Sequence, residues 1–379
     1  MLRPTAFLVA VSMALVLTAS VLALGNRQAT ANDIAEFDTV FATDVGQFGY
    51  GGMRGIGTGS ISVSGVTGTV TRGLLYWQGP TDSEDPAANA AVTFNGTGVT
   101  GDNIGFSSDN CWGFLNSQAY RADVTSLVTG DGAYSLDGFL QPGADINGVS
   151  LIVFFDDGND ANNRDVVLFD GNDSNVPDNG FDADGWNVTL PGIDYTAGAA
   201  SMDLHVGDGQ IFDDADVILN GATTLAAGPE VFQGDSVPNG ASAGDTSGGL
   251  WDIKSYDVTS DLTPGENTLT LTTEYLDDCL SLVVTVVNLP AGAAPSQPTP
   301  APTPTPAPTP TPAPTPAPTL TPSPTAAPTA AAPAAALPST GGTPSDGESG
   351  SLPWLAVIAG VFGATLIAGG WYARRRWMR

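Results

Sequence analysis

Histidine, cysteine and basic side chains are scarce in this 379-residue chain, and each scarcity closes off a class of function. His205 is the single histidine, and Cys111 and Cys279 are the two cysteines. That is too few for zinc sites built from several His and Cys ligands, and a Ser-His-Asp arrangement would have to pass through His205. Because His205 lies on a predicted strand, with Tyr76 at the matching place of an earlier one, it is expected in the core. Lysine and arginine total 11 against 40 aspartates and glutamates, a formal net charge of −29. Between residues 32 and 340 the cations are Arg54, Arg72, Arg121, Arg164 and Lys254, and only Asp346 and Glu348 among the acids follow Thr340. Such a surface repels nucleic acid and anionic lipid and attracts cations, so no nucleic-acid partner is expected. The middle of the chain also lacks any 3.6-residue apolar stripe, which argues against a helical fold.

Long apolar runs occur only near the two ends. Residues 1–31 read as a secretory signal peptide: Arg3 supplies the charge, residues 6–24 the apolar segment, and Ala29-Thr30-Ala31 an A-x-A cleavage site. Near the other end stand Leu337, Pro338, Ser339, Thr340 and Gly341 (337–341), then a polar spacer (342–351). An apolar run over 352–372 follows, long enough to cross ~30 Å of hydrocarbon as a transmembrane helix assigned to 352–373. A basic tail (374–379) closes the chain with Arg374, Arg375, Arg376 and Arg379, which would hold that end in the cytoplasm. In this order the parts resemble the LPxTG sorting signal of sortase-anchored bacterial surface proteins. The resemblance implies that a sortase, a membrane transpeptidase, cuts between Thr340 and Gly341 and joins the threonine to cell-wall peptidoglycan. An extracellular protein held at the cell wall or membrane is therefore expected. In an exported chain Cys111 and Cys279 are expected to pair.

Ahead of the sorting motif, residues 291–336 are almost entirely Pro, Thr and Ala. They are expected to form a disordered, polyproline-rich stalk; at ~3.1 Å per residue, the roughly 42 residues from 295 to 336 reach ~130 Å.

Residues 44–290 contain short β-branched and aromatic runs separated by Gly, Asn-Gly and Asp-Gly, the pattern of an all-β sandwich. Strands are predicted over 69–77, 91–94, 149–155 and 166–169, and the run 149–155 is apolar almost throughout, as in a central strand. One series of marks occurs twice. Leu75-Tyr76-Trp77, Asn95-Gly96, Asp123-Val124-Thr125 and 149–153 are followed by Leu204-His205-Val206, Asn220-Gly221, Asp257-Val258-Thr259 and 280–284. Two tandem modules, 44–175 and 176–290, after an N-terminal linker (32–43), are the simplest architecture. Asn-Gly suits a hairpin turn with positive φ at both residues, Pro264-Gly265 suits a tight turn, and Asp-Val-Thr can satisfy backbone groups at a strand end.

The series resembles galactose-binding-like jelly-roll domains, which accompany many secreted glycosidases and lectin-like proteins. That resemblance implies a jelly-roll-like sandwich with aromatic platforms for sugar rings. The region also resembles an uncharacterised family of secreted bacterial β-domains, carrying Leu75-Tyr76-Trp77 and Asp278-Cys279; that one implies no activity.

Two sets of candidate residues stand out. Asp156, Asp157, Asn159 and Asp160, then Asp170, Asn172, Asp173, Asp182 and Asp184, place hard oxygen ligands among glycines, as a calcium site requires. The stretch 182–185 breaks the EF-hand pattern, so the alternative is a set of solvated turns. Trp77 alternates with Leu75 and is expected in the core; Trp112, beside Cys111, and Trp186, in an acidic loop, are the candidates for a ligand surface. Two carboxylates can hydrolyse a glycoside, but with so many acids no pair is singled out, and an enzyme is not expected. The leading expectation is a surface-anchored binding or adhesion protein recognising glycan or another surface. The alternatives are a passive structural protein of the envelope and a secreted glycoside-active hydrolase.

Overall fold

The computed structural model describes residues 32–177, 180–240 and 249–292. The signal segment, the 337–341 motif, the spacer, the 352–373 run, the basic tail and all but the first two residues of the Pro/Thr/Ala segment lie outside the described residues. Among those described, no helix is long and apolar enough to cross a membrane. The described residues are all-β and sandwich-like.

The first strands are β1 (Asn32–Tyr50), β2 (Gly59–Val63), β3 (Thr69–Thr81), β4 (Ala91–Phe94), β5 (Thr97–Thr100), β6 (Asp102–Ser107), β7 (Asn116–Asp123), β8 (Gly132–Asp137) and β9 (Gly148–Asp156). There follow β10 (Arg164–Ser174), β11 (Asn187–Tyr195), β12 (Ser201–Gly207), β13 (Val217–Leu219), β14 (Thr223–Ala226), β15 (Trp251–Asp257), β16 (Gly265–Thr272) and β17 (Ser281–Pro290). One nine-stranded sheet has the order β15-β12-β17-β10-β1-β9-β3-β7-β6, and two four-stranded sheets have the orders β2-β8-β4-β5 and β11-β16-β13-β14. Strand for strand, β1-β9-β3-β7 with β2-β8-β4-β5 matches β10-β17-β12-β15 with β11-β16-β13-β14.

Local chemistry repeats with the topology. Thr125 N–H bonds Asp123 Oδ1 at 2.9 Å and Thr259 N–H bonds Asp257 Oδ1 at 2.9 Å. Gly73 N–H donates to Thr125 Oγ1 and Ala200 N–H to Thr259 Oγ1, both at 2.9 Å. Each Asp-Val-Thr thus closes a strand end and starts a 3-10 turn. Asn95 and Gly96 (φ 49° and 75°) form the β4-β5 hairpin, and Asn220 and Gly221 (φ 54° and 66°) serve β13-β14. These bonds make Gly73 the counterpart of Ala200. His205, five residues after Ala200, therefore corresponds to Gln78, five after Gly73, and not to Tyr76 as the motif alignment had it. A two-residue slip keeps every side chain on its own face, so the apolar pattern alone cannot detect it.

The segment expected as a linker, 32–43, is the first arm of β1. It pairs with β10 from Asn32↔Asn172 to Thr43↔Arg164, and the chain reverses near Ala42, whose φ is +48°. Residues 44–50 then pair with β9, from Asp44↔Phe155 to Tyr50↔Val149. β10 in turn pairs with β17, so residues 164–174 go with the later strands, whereas the 175/176 boundary placed them with the earlier ones. An apolar run carries no label for its neighbour, so the sequence alone groups 166–169 with the nearer strands.

The reversal lays the two arms of the large sheet face to face, giving four layers and three cores. Leu75, Trp77, Leu151 and Val153 point to the β2-β8-β4-β5 sheet. Val167, Phe169, Leu204 and Val206 point to the β11-β16-β13-β14 sheet. The alternate residues Leu74, Tyr76, Ile152 and Phe154 meet Val166, Leu168, Val284 and Val286 in the middle. Strands of the inner layers are buried on both faces, which is why 149–155 is apolar throughout.

Several polar groups in the middle layer are paired across it. Tyr76 donates its hydroxyl to Asp170 at 3.1 Å, Arg121 forms an ion pair with the same carboxylate, and the Arg121 guanidinium lies 3.4 Å over the Phe37 ring. His205 is fully buried between Ser150 Oγ at 2.9 Å and Gln47 Oε1 at 2.6 Å. Burial drives its pKa down to about 3, so it is neutral. Trp251 Nε1 donates to Ser150 Oγ at 2.8 Å, and glycine at 148 lets the indole cross β9, where a Cβ would lie 2.5 Å from Trp251.

Asp170→Ala would strand Arg121 and the Tyr76 hydroxyl, and is expected to cost about 3 kcal/mol in denaturant unfolding. Asp156→Ala, at the exposed last position of β9, is expected to stay within about 0.5 kcal/mol. Equal effects would contradict the assignment of Asp170 to the layer interface.

Candidate functional site

The loops at one end of the stack carry every exposed large apolar side chain among the described residues: Ile56, Trp112, Leu115, Leu140, Ile211, Phe212, Tyr275 and Leu276. They lie where β3, β10 and β12 finish and β7, β9, β15 and β17 begin, as the pairs Thr81↔Asn116, Ser174↔Ser281 and Gly207↔Trp251 show. At the opposite end Arg164 pairs with Pro290, so the chain enters its Pro/Thr/Ala segment on the side away from these loops.

At the seam between the two arms, Arg54 bonds Asp208 Oδ1 at 3.0 Å and lies 3.4 Å over the Trp112 ring. Trp112 Nε1 donates to both Asp208 oxygens at 2.9 Å. Arg54 also reaches Asn147 Oδ1, whose amide donates to Gln78 Oε1 at 2.8 Å. Cys111 and Cys279 are joined by a disulfide across this seam, with their Cα atoms 6.1 Å apart. Asn110, Cys111, Asp208 and Leu250 all have φ between 55° and 71°, a left-handed conformation rare for side chains bearing a Cβ and costly unless surroundings enforce it.

Beside the seam lies a cavity of about 840 Å³ lined by Asp184, Trp186, Asn187, Asp213, Asp214, Asp216, Thr272, Thr273, Glu274 and Leu276, among others. Its position follows from the fold: β11 begins, β13 begins and β16 ends around it. Asp214 is held by two backbone donors, Val231 N–H at 2.9 Å and Phe232 N–H at 2.7 Å, both to Oδ2. Its Oδ1, the Trp186 Nε1 and the Thr273 Oγ1 are buried and have no protein partner. Leaving such groups unpaired costs about 1–3 kcal/mol each. Of the four indoles in the described residues, Trp77 donates to Asn89 O, Trp112 to Asp208 and Trp251 to Ser150; Trp186 alone is left over.

Sequence-predicted site residues are dispersed. Trp112 is 38% exposed, but one face is covered by Arg54. Trp186 is 2% exposed and packs 6.2 Å from Phe232, so it is a cavity wall and not the surface platform expected from its acidic loop. Of the acids, Asp156, Asp157, Asn159 and Asp160 are exposed at the far end, and Asp170 is paired with Arg121. Asn172 donates to Ser117 O at 3.1 Å, and Asp173 accepts from Asn187 N–H at 3.3 Å. Asp182 is buried and accepts from Ser107 Oγ at 2.5 Å and Ser174 N–H at 3.0 Å; Asp184 lines the cavity. Among the described residues no three His, Cys, Asp or Glu side chains are arranged to hold a metal ion. Arg54, Asp208, Asp214 and Thr273 were not anticipated. A usable signal was Ile211-Phe212-Asp213-Asp214, where two apolar residues stand against two acids outside any strand pattern.

No family model matches the chain, and no curated protein matches it. Among solved structures, PNGase F, a glycosylasparaginase from Flavobacterium meningosepticum, aligns over 67% of this chain and 96% of its own, at 10% identity and a TM-score of 0.22. A likeness at that level fixes neither fold nor activity.

Burial raises the acids at this end. Asp278 is pushed up to about 8, with Asp208 and Asp214 adding repulsion. Asp208 goes to about 7 despite Arg54, and Asp214 to about 6 despite its two backbone donors. Each sits above the ordinary ~4 of an unfolded aspartate, so between pH ~4 and ~8 the folded chain holds protons that the unfolded chain releases. Stability contributed by these groups is present at low pH and lost as pH rises through their folded values. The melting temperature of the fragment 32–292 is expected to be higher at pH 5 than at pH 8, with Asp278→Asn flattening the difference. A higher value at pH 8 would contradict this.

Proposed function

We propose that this is an exported, wall-anchored binding protein that displays two jelly-roll-like units on a Pro/Thr stalk and recognises a carbohydrate at its loop end. The single observation that carries the reading is the loop-end cavity, where a donor, an acceptor and a hydroxyl, each at least nine-tenths buried, lack protein partners. A ligand bearing several hydroxyls satisfies all three at once, and a cavity of this size accommodates one or two sugar rings. Leu276 at the rim, with Ile211 and Phe212 beside Asp213, offers the apolar surface that the carbon face of a pyranose packs against. Sorting at 337–341 supports the same picture from the sequence side.

A glycan array probed with the fragment 32–292 tests the reading. Selective binding is expected, and Trp186→Phe, which keeps an aromatic ring and removes the N–H, is expected to weaken it by about tenfold. A blank array, or hits that Trp186→Phe leaves unchanged, would contradict it.

A further inference from the structure

Building on the cavity as a sugar site, we propose that it selects a hexosamine with a free, protonated amine over neutral, N-acetylated or acidic sugars. The cavity wall carries five carboxylates, Asp184, Asp213, Asp214, Asp216 and Glu274, and no lysine, arginine or histidine. The cation felt by Asp214 is Lys254, and its Nζ is already shared between Asp235 at 3.5 Å and Asp252 at 4.0 Å.

Three of these acids have part of their capacity in use. Asp214 Oδ2 holds its two backbone donors, Asp216 Oδ1 accepts Gly228 N–H at 2.8 Å, and Asp184 Oδ2 accepts Asn187 Nδ2 at 3.3 Å. Asp214 Oδ1, buried and unpartnered, is the point where a positive donor gains most, because a charge-assisted hydrogen bond is roughly twice as strong as a neutral one.

The other two unpartnered groups set a second requirement. Trp186 Nε1–H can only donate, so the ligand must also present an oxygen, and the Thr273 hydroxyl serves either way. A simple alkylamine answers Asp214 and leaves Trp186 unsatisfied. A neutral sugar answers Trp186 but brings no charge to a negative field. Uronic or sialic acids bring the wrong sign. A hexosamine meets both requirements with its ammonium and its neighbouring hydroxyl or ring oxygen, and acetylation removes the positive charge.

Three β-1,4-linked tetrasaccharides that differ only at C2 isolate the effect: glucose (hydroxyl), glucosamine (ammonium) and N-acetylglucosamine (amide). In calorimetric titration of the fragment 32–292 at pH 7, the glucosamine tetramer is expected to bind at least about tenfold more tightly than the other two. Asp214→Asn, which keeps the acceptor for Val231 and Phe232, and Glu274→Gln, at an exposed position, are each expected to shrink that preference. Asp160→Asn, at the far end, is expected to leave it intact, which separates the cavity from general attraction of a cation to an acidic protein.

Equal or tighter binding of the glucose or N-acetylglucosamine tetramer, still sensitive to Trp186→Phe, would overturn the amine preference and leave the sugar site standing. Glucosamine binding that Asp160→Asn reduces as much as Asp214→Asn also overturns the preference. No binding of any of the three, with array hits insensitive to Trp186→Phe, overturns both.

Discussion

Face-to-face burial of the two arms of the large sheet is the constraint on which the remaining structure depends. Each inner strand must be apolar on both faces, one toward its small sheet and one toward the other arm. Polar groups admitted between the arms bond to one another: Asp170 to Arg121 and Tyr76, and Ser150 to His205 and Trp251. The arrangement exists because β1 reverses at Ala42 and serves both arms, so residues 32–43 are as structural as any later strand.

That packing brings both sets of loops to the same end. Without it, Arg54 would not reach Asp208, nor Cys111 reach Cys279. The disulfide closes a loop spanning 168 positions, for which chain entropy alone gives on the order of 5 kcal/mol. It lies next to Trp112 on one side and Asp278 on the other, at the point where backbone strain and raised carboxylate pKa values concentrate. The cavity proposed for recognition lies among these loops, while the other end carries strand returns and the exit toward the Pro/Thr/Ala segment.

Much of the local structure was legible in the sequence, and the misses share a cause. Asn95-Gly96 and the two Asp-Val-Thr segments were readable because their chemistry is short-range: a turn needs positive φ, and a strand end needs a side-chain acceptor. Matching His205 with Tyr76 failed because alternation is blind to a shift of two. The acids form two groups in the sequence, Asp156 to Asp160 and Asp170 to Asp184, and β10 carries the second group away from the first toward the loop end. Trp186 read as exposed from its acidic neighbours, yet the same turn feeds it into the β11 side of the core. Asp214 and Thr273 were invisible as partners, since the strands that bring them together are remote in sequence.

Nuclear magnetic resonance of the four indole N–H groups in the fragment 32–292 tests the central claim most directly. Trp77, Trp112 and Trp251 donate within the protein, whereas Trp186, which lines the cavity, has no protein partner for its donor. On adding the saccharide that binds, the account predicts that the Trp186 indole signal moves while those of Trp77 and Trp251 stay in place. A saccharide that binds without moving the Trp186 signal, or that moves only Trp112, would contradict the cavity as the site of recognition.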